Sequence, residues 1–188
     1  MEYLRIKQEP YCCVPACIQM ILKRHGLPFA SQEEIGIQLG LTVPKEKLHF
    51  FKNVKSEKEV DEEHGTKIQK EKYSLNSFFK TNNIPLIYEY CYFDDAEQAK
   101  AFLIENKSQD IIACFSYGTL WNTTHLGGHI CLVEDIKDDT ITLVDSEYTG
   151  VLGDVPRRET TIQKLCDAIK YHGKKNAAGF WLIKRQNA

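Results

Sequence analysis

Residues 8–26, Gln8-Glu9-Pro10-Tyr11-Cys12-Cys13-Val14-Pro15-Ala16-Cys17-Ile18-Gln19-Met20-Ile21-Leu22-Lys23-Arg24-His25-Gly26, contain the pattern that decides the fold. Val14, Ile18, Ile21 and Leu22 recur at helical spacing, and Gly26 is a natural C-terminal stop. Pro15 suits a first turn, where the amide proton it lacks has no intrahelical partner. The pattern predicts a helix that begins just after Cys13. A thiol at that point meets unpaired N–H groups and a partial positive charge, both of which favour thiolate. Cys12 lies one residue further out and Cys17 one turn inside. Cys13 is therefore the candidate nucleophile, with Cys12 on the opposite side of the chain.

Downstream, Ser31-Gln32-Glu33-Glu34 has capping-box spacing and opens a short helix that Gly40 closes. Leu75 to Thr81 reads as a helix anchored by Phe78 and Phe79, Ile84 to Phe93 as a strand, and Asp94 as the cap of a further helix carrying Ala96, Ala99, Phe102 and Leu103. The run after Asp110, IIACFSY, has the character of a buried strand. His129 to Ile136 and Thr140 to Val144 read as a hairpin turning at Lys137-Asp138-Asp139, Thr160 to His172 as a helix, and Gly179-FWLIKR as a closing strand. Helices come first and most strands later, so the expected class is α+β, an N-terminal helix carrying the nucleophile packed on an antiparallel sheet. The stretch 42–72 is rich in Lys and Glu and reads as a long exposed loop or insertion. The 188 residues otherwise fit one domain, 1–188.

Composition narrows the function classes. With 43% hydrophobic and 27% charged residues the chain resembles a folded globular protein. A formal net charge of -2 offers no basic field for phosphate neutralisation, so nucleic acid is not an expected partner. No run approaches the ~20 apolar residues of a membrane span, and Met1–Pro10 lacks a secretory apolar core, so a cytoplasmic protein without membrane contact is expected. The seven cysteines form no regular framework and read as reduced.

A nucleophilic cysteine needs a base, usually distant in sequence. Of the six histidines, His25, His49, His64 and His172 read as surface residues or helix-end cations. His129 follows Gly127-Gly128 and opens an apolar strand, which makes it the candidate base, with Gly128 allowing close approach of a substrate. His125 is the rival base or a substrate-binding residue. Asp145 ends the partner strand and is placed to accept the His Nδ1 proton. The Cys13 backbone N–H and the Gln8 side-chain amide are candidate oxyanion donors. Trp121 is a candidate substrate contact, while Tyr117 and Tyr148 could line a groove or simply pack. No cofactor is expected. A metal site through His125 and His129 is the weaker alternative, because four residues along a strand span ~13 Å.

The motifs Gln8–Ala16, Gly128-His129-Ile130-Cys131-Leu132-Val133 and Ile141-Thr142-Leu143-Val144-Asp145 together resemble the papain-like cysteine peptidases, in particular the peptidases of double-glycine bacteriocin leaders and their stand-alone relatives. The resemblance covers about a third of the chain. It implies Cys13, His129 and Asp145 as catalytic residues, Gln8 as oxyanion donor, and a peptide or protein substrate cleaved through a thioester. Val14 stands where that family has glycine, and Ser146 where it usually has proline. Gln8-Glu9-Pro10 is also similar to phytochelatin synthases, which implies acyl transfer as an alternative to hydrolysis. A non-catalytic peptide-binding module on the same scaffold is the third reading.

Overall fold

The computed structural model describes residues 2–57, 63–93, 95–124, 127–147 and 152–186. The predicted first helix is α1, Cys13–Arg24, with Cys12 at its N-cap. It is followed by α2 (Gln32–Gln38), whose Ser31 and Glu34 form the expected capping box, and α3 (Leu75–Thr81). Then come β1 (Leu86–Cys91), α4 (Ala96–Glu105), β2 (Asp110–Ser116), α5 (Tyr117–Trp121), β3 (Gly128–Lys137), β4 (Thr140–Val144), β5 (Arg157–Thr161), α6 (Ile162–His172) and β6 (Gly179–Arg185). Asp94 lies outside the described residues; the side chain that caps α4 is Asp95, which accepts from the Gln98 N–H.

The six strands form one sheet in the order β1-β6-β2-β3-β4-β5, antiparallel at every pairing. Helices cover both of its faces, not one. Val14, Ile18, Ile21 and Leu22 of α1 join Ile35, Leu39, Leu75 and Phe79 against Ile112, Leu132, Trp181 and Ile183. On the opposite face Leu103, Leu165, Cys166 and Ile169 pack on Ile111, Ala113, Phe115, Cys131, Leu143 and Phe180. Successive strand residues point to alternate faces, so burial of both explains why β2 is apolar from Ile111 to Phe115 and buried at all seven positions.

β5 and α5 escaped the sequence. Thr160 belongs to β5, not to a helix, and β5 is a polar strand, Arg-Arg-Glu-Thr-Thr, whose alternating burial hides Arg158 and Thr160. The five-residue α5 is too short to show a period.

The stretch 42–72 departs from the expected exposed loop. Lys52, Asn53 and Lys55 are exposed, but Leu41, Val43 and Val54 bury together with Cys12, and Ile68 enters the core beneath α1. Thr42 bridges to Lys55 and Gly65, and Lys67 N–H donates to the Leu39 carbonyl at 2.8 Å. Its few aliphatic residues are spaced too widely to read as a periodic element, yet Val43, Val54 and Ile68 are buried.

Candidate active site

The chain enters α1 through a tight turn. Cys12 N–H donates to the Glu9 carbonyl at 2.9 Å, with Pro10 and Tyr11 at the two central positions. Tyr11 has φ 63°, left-handed backbone usually left to glycine or asparagine. The two adjacent thiols then separate by direction. Cys12 is fully buried with Leu41, Val43 and Val54, and burial, reinforced by Glu9, pushes its pKa well up. Cys13, the first residue of α1, is partly exposed and opens on a cleft.

The same cleft is lined by His129, Gly128 and Ile130 from β3, by His172 and residues 175–177, and by residues 63–69 of the charged segment. His129 is buried. Its Nε2, rather than the expected Nδ1, lies 2.8 Å from Asp145 Oδ1, which leaves Nδ1 for Cys13. Burial alone would lower the pKa of His129. Hydrogen bonds to Asp145, Cys13 and Cys131 overcome it and hold the pKa well above its ordinary value.

A β-bulge makes the His–Asp contact possible. From Lys137↔Thr140 to Asp135↔Thr142 the hairpin keeps one register, and between Asp135 and Val133 it shifts by a residue, giving Leu132↔Val144. Continued one step, this register sets Asp145 opposite Cys131 and diagonal to His129. Without the bulge Asp145 would face Leu132, whose side chain points to the other side of the sheet.

Asp145 is completely buried and fully engaged. Oδ1 also accepts the Glu147 N–H at 2.9 Å, and Oδ2 accepts Arg158 Nε at 2.9 Å. Burial raises its pKa, but His129, the Glu147 amide and Arg158 outweigh this and hold the carboxyl below its usual range. Arg158 donates to the Gly153 carbonyl and lies over the Trp121 ring, 5.8 Å from its centroid. Tyr117 stands edge-on to His129 with ring centroids 5.3 Å apart, so it packs on the imidazole. Arg5 closes the back of the site, donating to the Asp145 carbonyl at 2.6 Å and the Glu147 carbonyl at 2.5 Å.

Gln8 is buried beside this group. Its N–H donates to the Ser146 carbonyl at 3.0 Å, its Oε1 accepts the Ser146 hydroxyl at 2.7 Å, and its Nε2 donates to Glu147 Oε2 at 2.8 Å.

Cys13, His129, Asp145 and Gly128 are thus brought together, and Gln8 is tied to the two residues after Asp145. Trp121 is not part of the Cys13 cleft. It lines a separate groove with Asn122, Thr140, Glu159 and Lys164. His125 and Tyr148 lie outside the described residues. The glycine at 128 has a specific reason: a Cβ there would lie 2.5 Å from Cε1 of His172, whose ring packs directly on the strand. Burial, partly offset by Glu63, lowers the pKa of His172. Sequence reasoning set His172 aside as a helix-end cation, and no local signal ties it to Gly128. Arg158, Glu147 and Arg5 were also missed, since isolated charges carry no pattern.

Metal-ligand chemistry has one candidate among the described residues. His129, Cys131 and Asp145 offer ligand atoms within 4.8 Å of one another. Hydrogen bonding accounts for them better. Asp145 already neutralises Arg158, and burial pushes the Cys131 pKa up to about 12, so it keeps its proton near neutrality. The alternative through His125 falls on an undescribed residue. No helix among the described residues is long and apolar enough to cross a membrane.

No protein-family model matches the sequence, and a search of curated proteins finds no match. Among solved structures, a crystal structure from Bacillus anthracis, provisionally named a C39-like peptidase, matches with a TM-score of 0.58 over 100% of both chains at 13% identity. The chain therefore has the expected α+β fold, that of the C39-like structure, with Cys13 at the head of its N-terminal helix.

Proposed function

We propose that this protein is a cysteine-nucleophile hydrolase that cleaves a peptide or isopeptide bond through a thioester on Cys13. The observation that carries the reading is one arrangement: a partly exposed thiol at the head of α1 sharing a cleft with His129, whose other nitrogen is held by a buried, charged Asp145. In the reaction the Cys13 thiolate attacks the carbonyl carbon and forms a C–S bond. The oxyanion meets the Cys13 N–H and the Gln8 amide. His129 Nδ1 gives its proton to the leaving nitrogen as the C–N bond breaks. Water then attacks the thioester, losing a proton to His129, and the C–S bond breaks to release the acid and the Cys13 thiolate beside the imidazolium.

Raised His129 and lowered Asp145 suit an imidazolium resting state, the state from which the leaving group is protonated. The fold likeness to a C39-like peptidase favours a peptide substrate at the level of architecture. Acyl transfer shares every step up to the thioester and differs in whether a second thiol or amine replaces water.

Brief exposure to p-nitrophenyl acetate followed by mass spectrometry under denaturing conditions tests the reading. One acetyl group on Cys13, absent from Cys13→Ala, is expected. Its decay in buffer, compared with decay in added glutathione, separates hydrolase from transferase. Acetylation spread over several thiols and unchanged in Cys13→Ala would defeat the proposal.

A further inference from the structure

The tripeptide Asp145-Ser146-Glu147 serves two sides of the site at once. Asp145 holds His129, while the next two residues hold Gln8. We infer that Ser146 and Glu147 are positioning residues that fix which face of the Gln8 amide is presented to a substrate oxyanion; this rests on the function proposed above.

A glutamine side chain has two orientations of nearly identical shape, one with N–H groups where the other has oxygen. Only one of them can donate to an oxyanion. The partners of Gln8 select between them by chemistry. An ionised carboxylate only accepts, so Glu147 Oε2, at 2.8 Å, must face Nε2. In the flipped amide, Oε1 would confront that carboxylate. The Ser146 hydroxyl can donate or accept, so it tolerates either orientation, but with Nε2 claimed by Glu147 it donates to Oε1 at 2.7 Å. The Gln8 backbone is pinned by its own N–H to the Ser146 carbonyl. One Nε2 proton is spent on Glu147, and the geometry of the amide plane then sets the direction of the second, the proton available to an oxyanion. Ser146 is fully buried and Gln8 is 8% exposed, so water is poorly placed to replace either partner.

This also gives a role to the departure at position 146. A proline there has no hydroxyl to offer Oε1. In this chain the amide is instead held by two side chains that follow the base-orienting carboxylate, so the base and the oxyanion donor share one rigid segment. That segment is fastened from behind by Arg5, through the carbonyls of Asp145 and Glu147.

Two reactions of Cys13 separate this role from general support. Acetylation by p-nitrophenyl acetate builds negative charge on a carbonyl oxygen before p-nitrophenolate leaves. Alkylation by iodoacetamide displaces iodide and builds none, so it reports thiolate formation alone. Loss of an oxyanion donor through Gln8→Ala is expected to slow acetylation by about 10²-fold. Glu147→Ala and Ser146→Ala should each slow acetylation by about 10-fold while changing alkylation by less than about twofold. The Glu147 backbone N–H to Asp145 survives its substitution, so the His129 side is untouched. Ser146→Thr, which restores the hydroxyl, should recover most of the acetylation rate, whereas Glu147→Gln, whose amide can donate as well as accept and so no longer selects the Gln8 face, should not. In a Gln8→Ala background, Glu147→Ala should cost nothing further.

Wild-type acetylation in Glu147→Ala and Ser146→Ala, or equal loss of both reactions, would overturn the inference. So would an additive loss in the double variant. If wild-type Cys13 itself reacts with neither reagent, the function proposed above fails and takes this inference with it; if wild type reacts and only the variant pattern is missing, the positioning role alone fails.

Discussion

Replacing Asp145 by asparagine changes almost no volume but removes what three donors require. In the wild type, His129 Nε2 and Glu147 N–H meet one oxygen and Arg158 Nε meets the other, at 2.8, 2.9 and 2.9 Å. Asparagine has one acceptor oxygen, so in either orientation an NH2 group faces a donor. If the oxygen stays with His129 and Glu147, Arg158, only 8% exposed, keeps the Gly153 carbonyl but loses its counter-charge. Breaking a buried ion pair by removing one partner costs about 3–5 kcal/mol. The neutral hydrogen bonds that asparagine can still make return about 1 kcal/mol. A loss of about 3 kcal/mol at pH 7 follows from these two figures. With a urea slope of about 2 kcal/mol per molar for a chain of this size, the unfolding midpoint should fall by about 1.5 M. The gap between the two proteins should also depend on pH. The depressed Asp145 pKa contributes stability that is present above the ordinary carboxylate value and lost as pH falls through the folded value. The raised His129 contributes stability present below its ordinary value and lost as pH rises through the folded one. The gap should therefore be widest between these limits and shrink on both sides. A midpoint shift below about 0.3 M, or a gap equal at pH 2 and pH 7, would refute this account of Asp145.

Gly128→Ala should destabilise by about 1–3 kcal/mol, because its Cβ meets the His172 ring, and His172→Ala in the same chain should recover most of that loss in thermal unfolding; additive effects would contradict the contact. Cys12→Ala should keep Cys13 acetylation while lowering stability by about 1 kcal/mol for a buried thiol, whereas Cys13→Ser should keep stability and lose acetylation; the reverse pattern would exchange the two assignments. The rise with pH of the p-nitrophenyl acetate decay phase, in which neutral His129 takes the proton of water, should lie above the ordinary histidine range in the wild type and move down toward it in Asp145→Asn. An unmoved limb would detach His129 from that phase.

The local devices were legible where one residue type has one physical use. Pro15 and Gly26 bracket α1, Ser31 and Glu34 cap α2, and the Lys137–Asp139 turn joins β3 to β4. The Cys13, His129, Asp145 set followed from their places at element ends. What escaped was long-range and pairwise. The bulge that turns Asp145 toward His129 is set by cross-strand pairing, and counting residues from the turn does not reveal it. Choosing Nδ1 over Nε2 depended on a ring orientation that spacing cannot give. His172 matters through Gly128, 44 positions away, and Arg158 through Asp145 across β5. The charged segment misled because burial of Val43, Val54 and Ile68 one at a time leaves no period to read. Trp121, singled out as an aromatic near the presumed cleft, instead supports the arginine behind Asp145.

The central claim, that Cys13 is an activated nucleophile, is tested most directly by iodoacetamide at low ratio and neutral pH, with peptide mass mapping of all seven thiols over time. Cys91 is the internal control, since it is the other thiol that is not fully buried, and burial raises its pKa. The account predicts that Cys13 is modified first and fastest, at least about 10-fold ahead of Cys91, with Cys12, Cys17, Cys114, Cys131 and Cys166 spared. Modification of Cys91 before Cys13, or a Cys13 left intact while other thiols react, would contradict it.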